Sequence, residues 1–163
     1  MLPLDDPTIT VREFDGFKDF FAIYCKRQGV PSIVIQDFAS GELSEFTVEG
    51  QVGEISPGLN SNYESKELHF FFQSPFVYEQ TYVYSHEKRS KRMLGQRKLL
   101  GSPKILRNDF ECEQLTVPAP DGAQIPMLLQ YKKSGFQLNR KNRVLMEAYG
   151  AYNSPLSQSF NIV

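Results

Sequence analysis

A mostly β chain, built from about two propeller blades and then the first strands of a second unit, is what these 163 residues predict. Three observations carry that expectation. Short apolar runs recur with a faint internal period, and turn-forming residues divide them at intervals suited to strands of a few residues. The composition, 40% hydrophobic and 13% aromatic with no tryptophan, suits a globular β-rich chain and not a disordered one.

The first unit runs over residues 1–109. Phe20-Phe21-Ala22-Ile23, then Ser32-Ile33-Val34-Ile35, then the turn Ser40-Gly41 are echoed by Phe70-Phe71-Phe72, Thr81-Tyr82-Val83-Tyr84 and a polar turn from Ser85 to Ser90. Aligning Ile35 with Tyr84 gives an offset of 49 residues, a period that fits propeller blades made of short strands. Within each unit the strongly apolar run reads as an inner strand packed between neighbouring blades. The next run pairs with it across Arg27-Gln28-Gly29 or Ser74-Pro75, and Glu42 to Val48 adds an alternating outer strand. Phe70 to Phe72 read as core bulk for such an inner strand, and not as a ligand platform.

The second unit runs over residues 110–163. Leu115 and Val117 alternate with polar neighbours, Asp121-Gly122 is a strong hairpin signal, and Ile125, Met127, Leu129 and Tyr131 share one face of the returning strand. Val144-Leu145-Met146 is a continuous apolar run, which predicts a strand buried on both faces. Tyr149-Gly150-Ala151-Tyr152-Asn153 then breaks the pattern and places Tyr149 at the carboxyl end of that strand, where open α/β sheets carry their chemistry.

The stretch from Arg143 to Phe160 resembles the prolyl oligopeptidase family of serine peptidases, whose first buried hydrolase strand runs into a Tyr-Gly-(small)-(aromatic) turn. The segment Cys112 to Met127 is similar to that family's entry into its hydrolase domain, where a strand, an Asp-Gly turn and an Ile-Pro or Val-Pro pair recur in this order. The sequence departs from the common pattern at Glu147, Ala148 and Asn153. The resemblance implies a propeller followed by an α/β-hydrolase domain, here only its N-terminal strands, ending before the catalytic triad. It implies a role for Tyr149 as oxyanion-hole donor, and the YGAY turn inclines towards the oligopeptidase B branch, which favours basic residues before the cut.

A serine peptidase of this kind needs a serine on a tight turn, a histidine and an acid. No Gly-x-Ser-x-Gly occurs in the chain, and its two histidines fall elsewhere: His69 inside an apolar strand, where packing is its ordinary role, and His86 in a charged turn, where solvation is. Lys88, Arg89, Lys91, Arg92, Arg97 and Lys98 read as a solvated loop between blades and not as a nucleic-acid contact. A net charge of −1 gives no overall attraction to nucleic acid or anionic membrane. No segment approaches the ~20 apolar residues of a spanning helix, and the opening residues lack a secretion signal, so the expected location is cytoplasmic. Cys25 and Cys112 read as two reduced thiols. No metal-ligand spacing and no phosphate-cradling glycine loop occurs, so no metal and no cofactor is inferred.

Two functions from different classes fit. In one, the chain is a piece of a serine-type oligopeptidase that hydrolyses short peptides in its full-length parent, this piece lacking the nucleophile and being inactive. In the other it is a non-catalytic β-rich interaction module that associates through exposed strand edges. Either way, two isolated blades are expected to expose Phe20, Phe21 and Phe70 to Phe72, and the chain alone is expected to be marginal or to associate.

Overall fold

The computed structural model of the chain describes residues 9–27, 29–48, 52–98, 109–137, 139, 141–153 and 156–160. Of the turn residues singled out from sequence, Gln28 lies outside the described residues.

The first sheet takes β1 (Ile9–Gly16), β2 (Phe20–Arg27), β3 (Val30–Asp37) and β4 (Leu43–Phe46) in chain order, every neighbour antiparallel. The second repeats the plan with β5 (Glu54–Pro57), β6 (Glu67–Ser74), β7 (Val77–Ser85) and β8 (Ser90–Gln96). A separate hairpin pairs β9 (Phe110–Pro118) with β10 (Gln124–Lys132). The fold is thus mostly β, with two four-stranded meanders that have the form of propeller blades.

Alternation decides which face of each sheet enters the shared core. Phe20, Ala22 and Tyr24 of β2 and Ile33 and Ile35 of β3 point the same way, as do Leu68, Phe70 and Phe72 of β6 and Tyr82 and Tyr84 of β7. All ten belong to one core cluster, so the two blades are packed face to face. Ile35 and Tyr84, aligned from the sequence, both lie in the third strand of their sheet and on this face. Aromatic rings fill the seam: Phe46 stacks on Tyr84 at 4.8 Å and Phe70 on Tyr82 at 5.4 Å.

Several expectations are corrected here. Phe20, Phe70 and Phe72 are not exposed, because each blade covers the apolar face of the other, and Phe21 and Phe71 on the opposite faces are half-buried. The apolar runs are the second strands of their sheets, since β1 and β5 precede them; β1 is largely exposed and β5 has four residues, so neither carries a strong pattern. The basic stretch is not simply a loop: its turn, residues 86–89, leads into β8, an edge strand with all residues exposed. An edge strand with no buried face has no reason to alternate.

The Asp121-Gly122 hairpin forms as expected. Gly122 adopts φ +88°, its N–H donates to Ala119 O at 2.9 Å, and Asp121 Oδ1 accepts from the N–H of Ala123 at 3.0 Å. Leu115 pairs with Met127 and Val117 with Ile125, so apolar side chains meet across the ladder. The expected strand at Val144 to Met146 does not form. These residues are irregular and 77%, 85% and 81% exposed, because among the described residues no strand lies beside them to accept their backbone hydrogen bonds or cover either face.

Candidate functional site

Tyr149 therefore sits in an irregular segment and not at a strand end, with 56% of its surface exposed. The turn that follows, a 3₁₀ turn at Ala151–Asn153, holds Tyr152 at φ 56°, ψ 31°. A non-glycine residue in the left-handed region costs roughly 1–2 kcal/mol, and such strain is concentrated at functional loops. The loop carrying both tyrosines is tied at each end. Before it, Phe136 stacks on Tyr131 of β10 at 4.0 Å; after it, Phe160 meets Tyr78 of β7 edge-on at 5.4 Å.

The β2–β3 and β6–β7 turns lie against β9 of the hairpin. Phe76, in the β6–β7 turn, stacks on Phe110 at the start of β9 at 4.9 Å. Gln114 Nε2 lies 3.2 Å from where a Cβ on Gly29, in the β2–β3 turn, would stand. One rim of the blade pair thus faces the β9–β10 hairpin.

A second polar cluster joins the blades. His86, expected in solvent, is instead stacked on Phe20 at 4.4 Å, and its Nε2 lies 3.1 Å from Asp37 Oδ2, with side-chain exposures of 12% and 18%. Packing on an apolar ring outweighs the charged character of its neighbours in sequence. Asp37 also accepts from the backbone N–H and the hydroxyl of Ser40 at 2.7 and 2.9 Å, and these bonds hold its carboxyl below the ordinary carboxylate range. Ile35, Glu42, Ser44, Tyr84 and Arg89 complete a shallow cleft, and Arg89 pairs with Glu42 at 2.7 Å. A catalytic triad would need the other ring nitrogen to reach a hydroxyl. Here His86 Nδ1 is buried and meets no hydrogen-bond partner among the described residues, so the pair works as a clamp between β3 and the β7–β8 turn.

His69 is half-exposed on β6, while its backbone N–H and carbonyl are both bonded by the side chain of Asn60, at 2.8 and 2.9 Å. Asn60 also donates to Asp15 Oδ2 at 2.7 Å, the atom that accepts from the Tyr24 hydroxyl at 2.8 Å. Burial, together with Asp15, pushes the Tyr24 phenol well above its ordinary value, so it serves as a fixed donor. Cys25 and Cys112 are both free thiols. Among the described residues no group of three or more His, Cys, Asp and Glu could hold a metal ion, and no helix is long and apolar enough to cross a membrane.

Two antiparallel four-stranded blades followed by a β-hairpin define the class: a mostly β, partial-propeller fold. No family profile matches the chain. Among curated proteins it is 25% identical over 146 residues to the prolyl endopeptidase of Elizabethkingia miricola, covering 88% of this chain and 19% of that enzyme. The prolyl endopeptidase of Elizabethkingia meningoseptica gives 25% over 144 residues, with the same coverage, 88% and 19%. The chain thus spans about a fifth of the length of the relatives it matches. Among solved structures, oligopeptidase B from Trypanosoma brucei with covalently bound antipain superposes with a TM-score of 0.81 at 19% identity, over 96% of this chain and 23% of that one. A post-proline cleaving enzyme from Rickettsia typhi gives 0.72 at 22% identity, over 94% and 22%. Over most of its length the chain is thus similar to prolyl endopeptidases in sequence and to prolyl oligopeptidase-type enzymes in fold.

Proposed function

We propose that the chain is the junction of a serine-type oligopeptidase, with partial propeller at 1–109 and the opening strands of the hydrolase domain at 110–163. In the full-length protein it serves the hydrolysis of short peptides. One observation carries this reading: a match of 146 residues to the prolyl endopeptidases is long enough to take in most of both blades and the β9–β10 hairpin together. A likeness confined to the blades would have spoken only for a propeller.

In that reaction a serine hydroxyl attacks the peptide carbonyl, a histidine takes the serine proton and passes it to the leaving amine, and water then releases the acyl group. The nucleophile and its base are assigned to the remainder of the full-length protein. Tyr149 is assigned a different task, donating its phenolic hydrogen to the oxyanion as charge develops there. The flanking Tyr-Gly turn and the exposure of the ring support that role. A single preorganised donor of this type is worth roughly 3 kcal/mol in the barrier.

Two measurements test the reading. The chain alone, offered fluorogenic peptides with proline or with a basic residue before the cut and a fluorophosphonate serine probe, is expected to show no turnover and no labelling; turnover would show a nucleophile of its own. In a longer parent, Tyr149→Phe is expected to lower kcat about a hundredfold or more with little change in folding, and unchanged turnover would remove Tyr149 from the mechanism. A second reading, a non-catalytic interaction module, is favoured by the exposure of Val117, Ile125 and Val144 to Met146. Coding sequence downstream that supplies a glycine-flanked serine, then Asp and His, decides for the first.

A further inference from the structure

Lys26 is a buried cation near the end of β2, with 8% of its side chain exposed, and its counter-charge comes from the second blade: Nζ lies 2.7 Å from Glu54 Oε1. That same oxygen accepts a second bond, at 2.8 Å, from the backbone N–H of Gln158. Gln158 answers in kind, its side-chain Oε1 accepting from the N–H of Gly53 at 3.3 Å. The chain around residue 158 is thus held to the start of β5 by a reciprocal pair of bonds, with the Phe160 ring on Tyr78 as a third point.

Gly53 makes this approach possible. A Cβ there would stand 2.5 Å from Gln73 O and 2.6 Å from the Phe72 ring, so only glycine lets the backbone run this close to β6 and present its N–H outward.

The two halves of the arrangement differ in what they cost to break. Separating Lys26 from Glu54 would strand a buried charge, which is strongly destabilising. Lifting residues 156–160 away leaves that pair whole and gives up only the two hydrogen bonds of Gln158 and the Phe160 ring contact. We propose that Glu54 is the post of a latch: residues 156–160 form a strap that opens and closes as a unit on an intact blade pair, and its closure tethers the far end of the loop that carries Tyr149. The inference does not depend on Tyr149 having a catalytic role.

Two double variants of this chain separate the acceptor from the charge. Lys26→Met with Glu54→Gln removes both charges and keeps a side-chain oxygen for the Gln158 N–H; Lys26→Met with Glu54→Met removes the oxygen as well. Hydrogen exchange followed by mass spectrometry is expected to show residues 156–160 exchanging about tenfold faster in the Met/Met variant, close to the unmodified rate in the Met/Gln variant, and β6 and β7 unchanged in both. Equal exchange at 156–160 in the two variants, or loss of β6 and β7 protection together with the strap, overturns the proposal. Should the Met/Met variant fail to fold, Gln158→Ala in the otherwise unmodified chain is expected to quicken exchange at the Gly53 amide, and an unchanged rate there overturns it equally.

Discussion

Truncating Phe70 to alanine tests whether the two blades are one cooperative body. The side chain is fully buried in the seam, with Tyr82 stacked at 5.4 Å and Phe46 tilted at 5.9 Å. Removing it forfeits roughly 1.5–3 kcal/mol of transfer free energy. The two ring contacts add about 0.5–1.5 kcal/mol each. The sum agrees with the roughly 3–5 kcal/mol measured for Phe→Ala in well-packed cores, and it is a large share of the ~5–15 kcal/mol that stabilises an ordinary domain. Urea unfolding followed by far-ultraviolet circular dichroism is the assay, with hydrogen exchange to resolve the sheets. The midpoint is expected to fall steeply, and β2–β3 are expected to lose protection along with β6–β7, although the mutation lies only in β6. Phe14→Ala serves as control, because that ring is 68% exposed and its loss is expected to cost under ~1 kcal/mol. A Phe70→Ala midpoint no lower than the control's, or a first sheet that keeps its protection while the second melts, would refute the shared core.

Asn60→Ala is expected to cost about 2 kcal/mol in the same urea assay, since it strips a partner from the His69 N–H and from Asp15 at the blade junction; a change within a few tenths would show that water replaces it. Burial, with Glu111 and Glu113 beside it, pushes the Cys112 thiol up to about 11 from 9.0. The folded chain therefore favours the neutral thiol, so this contribution to stability is intact below pH 9 and is lost as the pH climbs through about 11. Iodoacetamide labelling at pH 9 is expected to be tens of times slower at Cys112 than in the urea-unfolded chain, and equal rates would count against the shift.

Much of the blade architecture is legible in the sequence because it rests on side chains that enter the shared core at every second residue: Phe20, Ala22 and Tyr24, then Leu68, Phe70 and Phe72. The Asp-Gly hairpin is legible because its turn demands particular chemistry at Asp121 and Gly122. Elements whose cause lies outside their own residues are not. β8 exists because β7 offers it hydrogen bonds, whatever its side chains are, while Val144 to Met146 has strand-forming side chains and, among the described residues, nothing to pair with. His86 and Lys26 escape a reading of sequence for the same reason. Charged neighbours in sequence suggest solvent, whereas their real surroundings, Phe20 and Asp37 for one and Glu54 for the other, come from distant parts of the chain. Tyr149 stands out through a motif and not through pattern, and its environment follows from contacts at either end of its loop.

The outermost strand of the second blade has a consequence for how the chain lives in concentrated solution. Lys91 and Arg92 stand on β8, preceded by Lys88 and followed by Arg97 and Lys98. Two molecules meeting along that border would bring matching rows of cations together, and the repulsion acts over roughly 8–10 Å at ordinary ionic strength. The border thus works as a fence: the next rung of the ladder is electrically unwelcome, and added salt lowers the fence.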